Sequence, residues 1–399
     1  MRERIDFLFL NVGHFFDHLF MLLFASVAAL TLARQWGMSY GELIPYATPG
    51  FVAFGVCALP AGWIADKWSR KGMMVIFFIG IGASSMATSL ARSPLEISTG
   101  LTAIGIFAAI YHPVGLALVV HGRAKTGMAL AVNGVFGNFG VAGAALIAGY
   151  LIDASGWRWV FVLPGLLAIA TGILYAAFLY WDRKPAAAVA RAAGKPPEAA
   201  NFDRRILIRV FAVIFISTGI GGLVFQSTTF SLPKIFDERL GDLAGSATMI
   251  GWYAFLVFAI AAFAQIVVGW LVDRHSIRLV FGFVAGLQIL FFAIMPNLTG
   301  AAALIVATAF MLVVFGQIPI NDVLVGRMTR SEWRSRMFAA RYIVTFSVSA
   351  TAIPVIAWVH GTWGFPVLFM VLAVAASIIL AAVLTLPRTQ AVTGVAPAE

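Results

Sequence analysis

The chain has 399 residues, a net charge of +10, 61% hydrophobic residues and only 11% charged ones. A soluble domain carries about a quarter charged residues, so composition excludes an ordinary water-soluble fold. The basic residues sit in short connectors between long apolar runs, a placement that fits positive-inside membrane topology better than nucleic-acid binding. The single cysteine, Cys57, excludes an internal disulfide or a thiolate metal site and reads as a packing residue.

The apolar runs are long enough to cross a bilayer of roughly 30 Å. Lipid offers no partner for open backbone groups, so each must be helical. Twelve spans are predicted near 7–33, 44–65, 72–91, 96–120, 127–152, 158–181, 206–233, 246–272, 277–296, 299–325, 336–358 and 364–386. The first begins after a charged stretch, Met1 to Asp6, as a signal peptide would. It continues to about Leu32 and carries His14, Asp17 and His18, which makes it an uncleaved span.

On that first span His14, Asp17 and His18 fall at i, i+3 and i+4, with Asn11 on the same face and Met21 and Ala25 continuing it. A polar stripe on one side of a membrane helix points to a cavity rather than to lipid. The second span ends in GWIADKWSRK, residues 62–71. The fourth carries His112 between Tyr111 and Pro113, and the fifth has Gly134, Gly137, Gly140 and Gly143 at every third position.

Between the sixth and seventh spans runs DRKPAAAVARAAGKPPEAANFDRR, residues 182–205, rich in Ala, Pro and charge and poor in anything to bury. It reads as a cytoplasmic linker between bundles at 1–181 and 206–388, with a tail at 389–399. The seventh span holds Gln226, Thr228 and Thr229. The eighth ends in GWLVDRHSIR, residues 269–278, which repeats the earlier loop at a constant offset of 207. Gly, Trp, Asp and Ser match, as do two basic positions. Gln317 and Asn321 share a face of the tenth span beside Asp322, and Arg336, Arg341 and Tyr342 open the eleventh.

The fold expected is therefore an all-α membrane protein with 12 transmembrane helices in two pseudo-symmetric six-helix bundles. With the N-terminus inside, only Arg34, Arg92, Arg158, Lys234 and Arg239 lie outside and Arg341 lies within a span, which leaves 21 of the 27 Lys and Arg on the cytoplasmic side. Both termini are then cytoplasmic and the location is the inner membrane.

The duplicated Gly-x-x-x-Asp-Lys/Arg loop, on twelve spans with a central linker, resembles the signature of the major facilitator superfamily. Ser69 and Ser276 stand where that signature has a second glycine. The His/Asp cluster of span one and His112-Pro113-x-Gly115 resemble the fosmidomycin-resistance-type exporters within it. The resemblance implies a gate in which Asp66 binds the N-terminal end of span eleven near Arg336 when the cytoplasmic side is shut. Gly62, Lys67, Arg70 and Lys71 would serve that gate, echoed by Gly269, Asp273, Arg274 and Arg278. Lys67, Arg70 and Lys71 would also hold the loop at the anionic leaflet. Many proton-driven exporters of the family have an Arg early in span four; here Leu101 stands there, followed by Gly105, so coupling would pass to His14, Asp17, His18 or His112.

These readings predict a secondary transporter, not an enzyme, working by alternating access and exporting a small molecule with proton coupling. Proton-coupled uptake of a small organic anion or metabolite is the alternative, and divalent metal transport is a third. The substrate- and proton-binding candidates are His14, Asp17, His18, His112, Gln226, Gln317, Asn321, Arg341 and Tyr342. Asp322 and Arg341 are also placed to form a structural or coupling ion pair. No cofactor, resident metal or nucleic-acid partner is expected; protons, lipid and a small-molecule substrate are, on a monomeric chain. His121, His275 and His360 are expected to have no special role.

Overall fold

Helix follows helix through the described residues, because nearly every segment is apolar and several are opened by capping residues. The computed structural model describes residues 2–121, 126–181, 204–328 and 331–386. The side chains at 126–127, 204, 206–207, 326–328, 331–342 and 346 lie outside this description. The helices are α1 (Arg2–Gln35), α2 (Tyr40–Lys67), α3 (Arg70–Thr88), α4 (Pro94–Val120), α5 (Thr126–Ser155) and α6 (Trp157–Trp181), then α7 (Arg204–Arg239), α8 (Ala247–Arg274), α9 (Ile277–Ile294) and α10 (Gly300–Met328). A last helical stretch, Ser331–Leu384, bends at Gly364, whose φ of 75° only glycine adopts without strain. That bend divides it into α11 (331–363) and α12 (365–384), so the twelve expected spans are present.

Serine caps mark several starts. Ser39 and Glu42 form a reciprocal capping box at α2. Ser69 Oγ accepts from Gly72 N at 3.0 Å to open α3, and Ser276 Oγ accepts from Leu279 N at 3.2 Å to open α9. The two serines that depart from the superfamily signature thus do the same local work in both copies of the repeat.

The chain divides into two compact units. One comprises Met1–Ala192, Thr229–Ala259 and Ile353–Gly361; the other comprises Ala193–Thr228, Ile260–Ala352 and Thr362–Glu399. In the first, α1 packs on α5, α3 on α6, and α2 on α4. The α2–α4 crossing is tight enough that a Cβ on Gly105 would stand 2.0 Å from Gly50 O. The start of α8 belongs to this unit too: Thr248 Oγ1 and N both donate to Asp153 Oδ2 of α5, at 2.5 and 2.7 Å. In the second unit α9 packs on α10, and the core gathers Val210 and Ile214, Val272, Phe281 and Val284, Ile320 and Leu324, and Ile379 and Val383 from five helices. Large apolar side chains such as Trp63, Trp181, Phe283 and Ile305 face outward, more than half exposed. That is the pattern of a lipid-facing surface, since water would penalise it.

Candidate functional site

The polar stripe on α1 faces inward. Asp17 is completely buried, His14 is 7% exposed and Asn11 3%. His14 and Tyr111 rings lie stacked with centroids 4.8 Å apart. Opposite, α4 opens into a π-turn over Tyr111–Gly115, which accommodates Pro113 and turns His112 toward α1. Such π-turns recur at functional sites. His112 Nε2 stands 3.2 Å from Asp17 Oδ2. His18 Nε2 is 3.2 Å from His14 Nε2, and the His112 ring lies edge-on to both imidazoles at 5.5 and 5.6 Å. All four sequence-predicted ionisable candidates of this half therefore meet in one cluster.

α5 holds the cluster in place. His14 Nδ1 donates to the backbone oxygen of Asn133 at 2.7 Å. A carbonyl only accepts, so Nδ1 carries the proton and Nε2 presents its lone pair. The Asn133 side chain donates to Asn11 Oδ1 at 3.0 Å and to Tyr111 Oη at 2.8 Å. Tyr111 Oη donates to Leu10 O at 2.8 Å. Asn133 and Tyr111 are fully buried, and sequence reasoning missed both as site residues. The available signal was an Asn in an otherwise apolar span, four residues before Gly137, where a Cβ would stand 2.7 Å from the His14 ring. The glycine run earns its place here. A Cβ on Gly140 would sit 2.2 Å from Phe15 O, and one on Gly143 would touch the Phe15 ring at 3.3 Å, so these residues let α1 lie against α5.

The other unit has its own polar network. Gln288 of α9 donates to Gln317 Oε1 at 2.8 Å, and Gln317 donates to Ser217 O at 3.3 Å. Ser217 Oγ donates to Asn321 Oδ1 at 2.8 Å. Gln317 and Asn321 are thus brought together, 5% exposed each, but their side chains are spent tying α7, α9 and α10. Gln226 is also buried; nine residues beyond Ser217 on α7, it lies about 13 Å farther along the helix axis. Asp322 is partly buried. The side chains of Arg341, Tyr342 and Arg336 lie outside the described residues.

The side chains of span eleven that the gate expectation pairs with Asp66 lie outside the described residues. Asp66 is 62% exposed and accepts two hydrogen bonds from Arg70, at 2.8 and 3.0 Å, in an i,i+4 pair. Lys71 pairs instead with Asp6 at 2.8 Å, and Asp6 also accepts from Tyr175 at 2.9 Å. Lys71 therefore ties the start of α3 to the N-terminal part of α1. Gly62 allows Pro113 to approach to 3.3 Å of its would-be Cβ, whereas nothing among the described residues comes within 4 Å at Gly269. Arg274 covers the Trp270 ring at 4.2 Å, and Arg278 donates to Leu386 O at 3.1 Å. His360, expected to be idle, stands 3.0 Å from Glu238 Oε1 beside a Lys234–Asp237 pair of 2.7 Å.

Residues 10–242 match the family model described as Major Facilitator Superfamily. Among characterised proteins, a gallate transporter of Pseudomonas putida is 26% identical over 279 residues, covering 62% of this chain and 61% of that one. A 4-hydroxybenzoate transporter of the same organism is 25% identical, covering 64% and 63%. The chain thus spans a little over three fifths of the length of these relatives. The fold matches the crystal structure of a bacterial homolog to the human lysosomal transporter Spinster, in an inward-facing and unoccupied conformation. That match has a TM-score of 0.72 at 14% identity and covers 98% of this chain and 95% of that one. The fosmidomycin-resistance-type subgroup finds no support beyond membership of the superfamily.

Proposed function

This chain belongs to the Major Facilitator Superfamily, and on that premise we propose that it is a secondary transporter that takes up a small organic anion, of the aromatic carboxylate class, together with protons. The observation that carries the reading is the His14–Asp17–His18–His112 cluster, with Asp17 and His14 buried and the other two partly so. Ionisable groups at membrane depth are costly and persist where they serve a pathway. Gallate and 4-hydroxybenzoate, named for the two relatives, are small planar carboxylates bearing phenolic hydroxyls. Imidazoles supply hydrogen-bond donors for such an anion, and the rings of Tyr111 and Phe54 beside His14 and His112 suit a planar one. The descriptions of these two relatives favour transport over catalysis and a small metabolite over the exported compound that the span-one cluster and the fourth-span motif first suggested.

Asp17 and His112 face each other across 3.2 Å and can share one proton. Water reaching the cluster from one side at a time would let it load and release that proton as the two halves alternate. A monovalent carboxylate entering with one proton carries no net charge, so uptake should follow the pH gradient and ignore the membrane potential. On this reading the cytoplasmic side holds the Asp66 and Asp273 loops and both termini, in the inner membrane. Gating stays with Asp66 in exchange with Arg70, and Gln317 and Asn321 act mainly as structure.

The test is uptake of radiolabelled 4-hydroxybenzoate and gallate into proteoliposomes with an imposed inward proton gradient. Accumulation should collapse with a protonophore and persist when a potassium diffusion potential is set to zero. Absence of gradient-driven accumulation for any small aromatic carboxylate would remove the reading. Extrusion of such compounds under the same gradient would restore the export alternative.

A further inference from the structure

We propose that His14, His18 and His112 form a binding site for one divalent transition-metal ion of the zinc class, bridging α1 and α4. One ligand nitrogen from each of the three side chains lies within 4.8 Å of the others. The sequence offered His14, Asp17 and His18 at helical ligand spacing on a single helix; the π-turn of α4 brings in a third imidazole, His112. A tetrahedral ion with nitrogens at about 2.0–2.1 Å sets neighbouring ligand atoms about 3.3 Å apart. The His14 and His18 Nε2 atoms are already at 3.2 Å, so only His112 has a gap to close, by side-chain rotation.

The surroundings are those a metal site needs. His14 donates from Nδ1 to the Asn133 carbonyl at 2.7 Å, which fixes the tautomer that leaves Nε2 available as a ligand. Asp17 is wholly buried, and neither of its oxygens accepts an aligned hydrogen bond among the described residues although His112 Nε2 stands 3.2 Å away. Its charge offsets part of the cost of burying a dication. Three nitrogen donors select a zinc-class ion over calcium or magnesium, which take oxygen ligands. An ion here would occupy the side chains assigned above to substrate and proton, so it should inhibit uptake. That consequence rests on the transport reading; the site itself does not.

The experiment uses the full chain in detergent with any affinity tag removed, titrated with Co²⁺ for its tetrahedral visible absorption and with radioactive Zn²⁺ by equilibrium dialysis. One ion per chain is expected, with affinity at least tenfold weaker in His18→Ala and in His112→Ala and unchanged in His121→Ala and His275→Ala. Because an alanine in the cluster could unfold the protein, His18→Gln is titrated as well, and the unfolding temperature of each variant is measured with and without Zn²⁺. The ion should raise that temperature in the native chain and not in the cluster variants. No stoichiometric binding, or binding equal in native and cluster variants, overturns the site. Lack of metal binding with intact proton-driven uptake discards the site alone; metal binding without such uptake discards the transport reading alone.

Discussion

Replacing Gly140 with alanine tests the contact on which the histidine cluster depends. The new Cβ would stand 2.2 Å from Phe15 O and 3.1 Å from Phe15 Cα. Ordinary contact needs about 3.4 Å, so α1 must retreat from α5 by about 1 Å at this crossing. His14 precedes Phe15, and its 2.7 Å bond to Asn133 O would stretch beyond about 3.5 Å, where it ceases to be a hydrogen bond. The 3.0 Å bond between Asn133 and Asn11 lies on the same interface. Overpacking costs about 1–3 kcal/mol and a lost buried hydrogen bond about 1 kcal/mol more, so the variant should lose about 2–4 kcal/mol. Gly134 is the internal control: nothing among the described residues lies within 4 Å of its would-be Cβ. Alanine there should be neutral, or stabilising by up to about 1 kcal/mol through helix propensity. Cys57 is the sole thiol, so unfolding can be followed with a thiol-reactive fluorophore, alongside uptake by the same preparations. Gly140→Ala should unfold at lower temperature and transport poorly, and Gly134→Ala should do neither. Equal unfolding of Gly140→Ala and the native chain, or equal damage from both alanines, would refute the claim that the α1–α5 approach sets the cluster.

Asp17→Asn should leave the protein in the membrane but abolish proton-gradient-driven accumulation while sparing exchange of labelled for unlabelled substrate; retention of gradient dependence would move coupling to another group. Asp66→Asn should lower the maximal transport rate several-fold at unchanged expression, and native kinetics would remove the gate assignment. Gln317→Leu leaves Gln288 and Ser217 O each short of a partner, so it should cost about 1–3 kcal/mol of stability with little change in substrate KM; a large KM change at native stability would return Gln317 to the binding site. Ser69→Ala and Ser276→Ala should each lose about 1 kcal/mol, and the corresponding glycine variants only a few tenths. Thermal unfolding of the four proteins decides whether these serines are caps.

Much of the molecule was legible before any coordinates. Hydropathy located the spans, because the bilayer imposes a length and a helical backbone on each one separately. The stripe of Asn11, His14, Asp17 and His18 was readable from helical periodicity alone, as was the duplicated loop from its constant offset. These are local properties, carried by residues a few positions apart. The α11/α12 boundary, expected from hydropathy between 358 and 364, falls at Gly364, whose φ is 75°.

What the sequence left open is which polar groups meet. Asn133, an unremarked polar residue in an apolar span, is the anchor of the whole cluster because α5 lies against α1 through Gly137 and Gly140. Lys71 pairs with Asp6 of α1, and Gln317 accepts from Gln288 of α9. Each of these outcomes depends on residues many positions apart being brought together by interhelical packing, and one-dimensional periodicity reports only the face a residue occupies on its own helix. The sequence by itself determined the helices, their number and their polar faces; the tertiary structure alone decided the partners, because partnership is set by the crossing of helices whose closeness small residues permit.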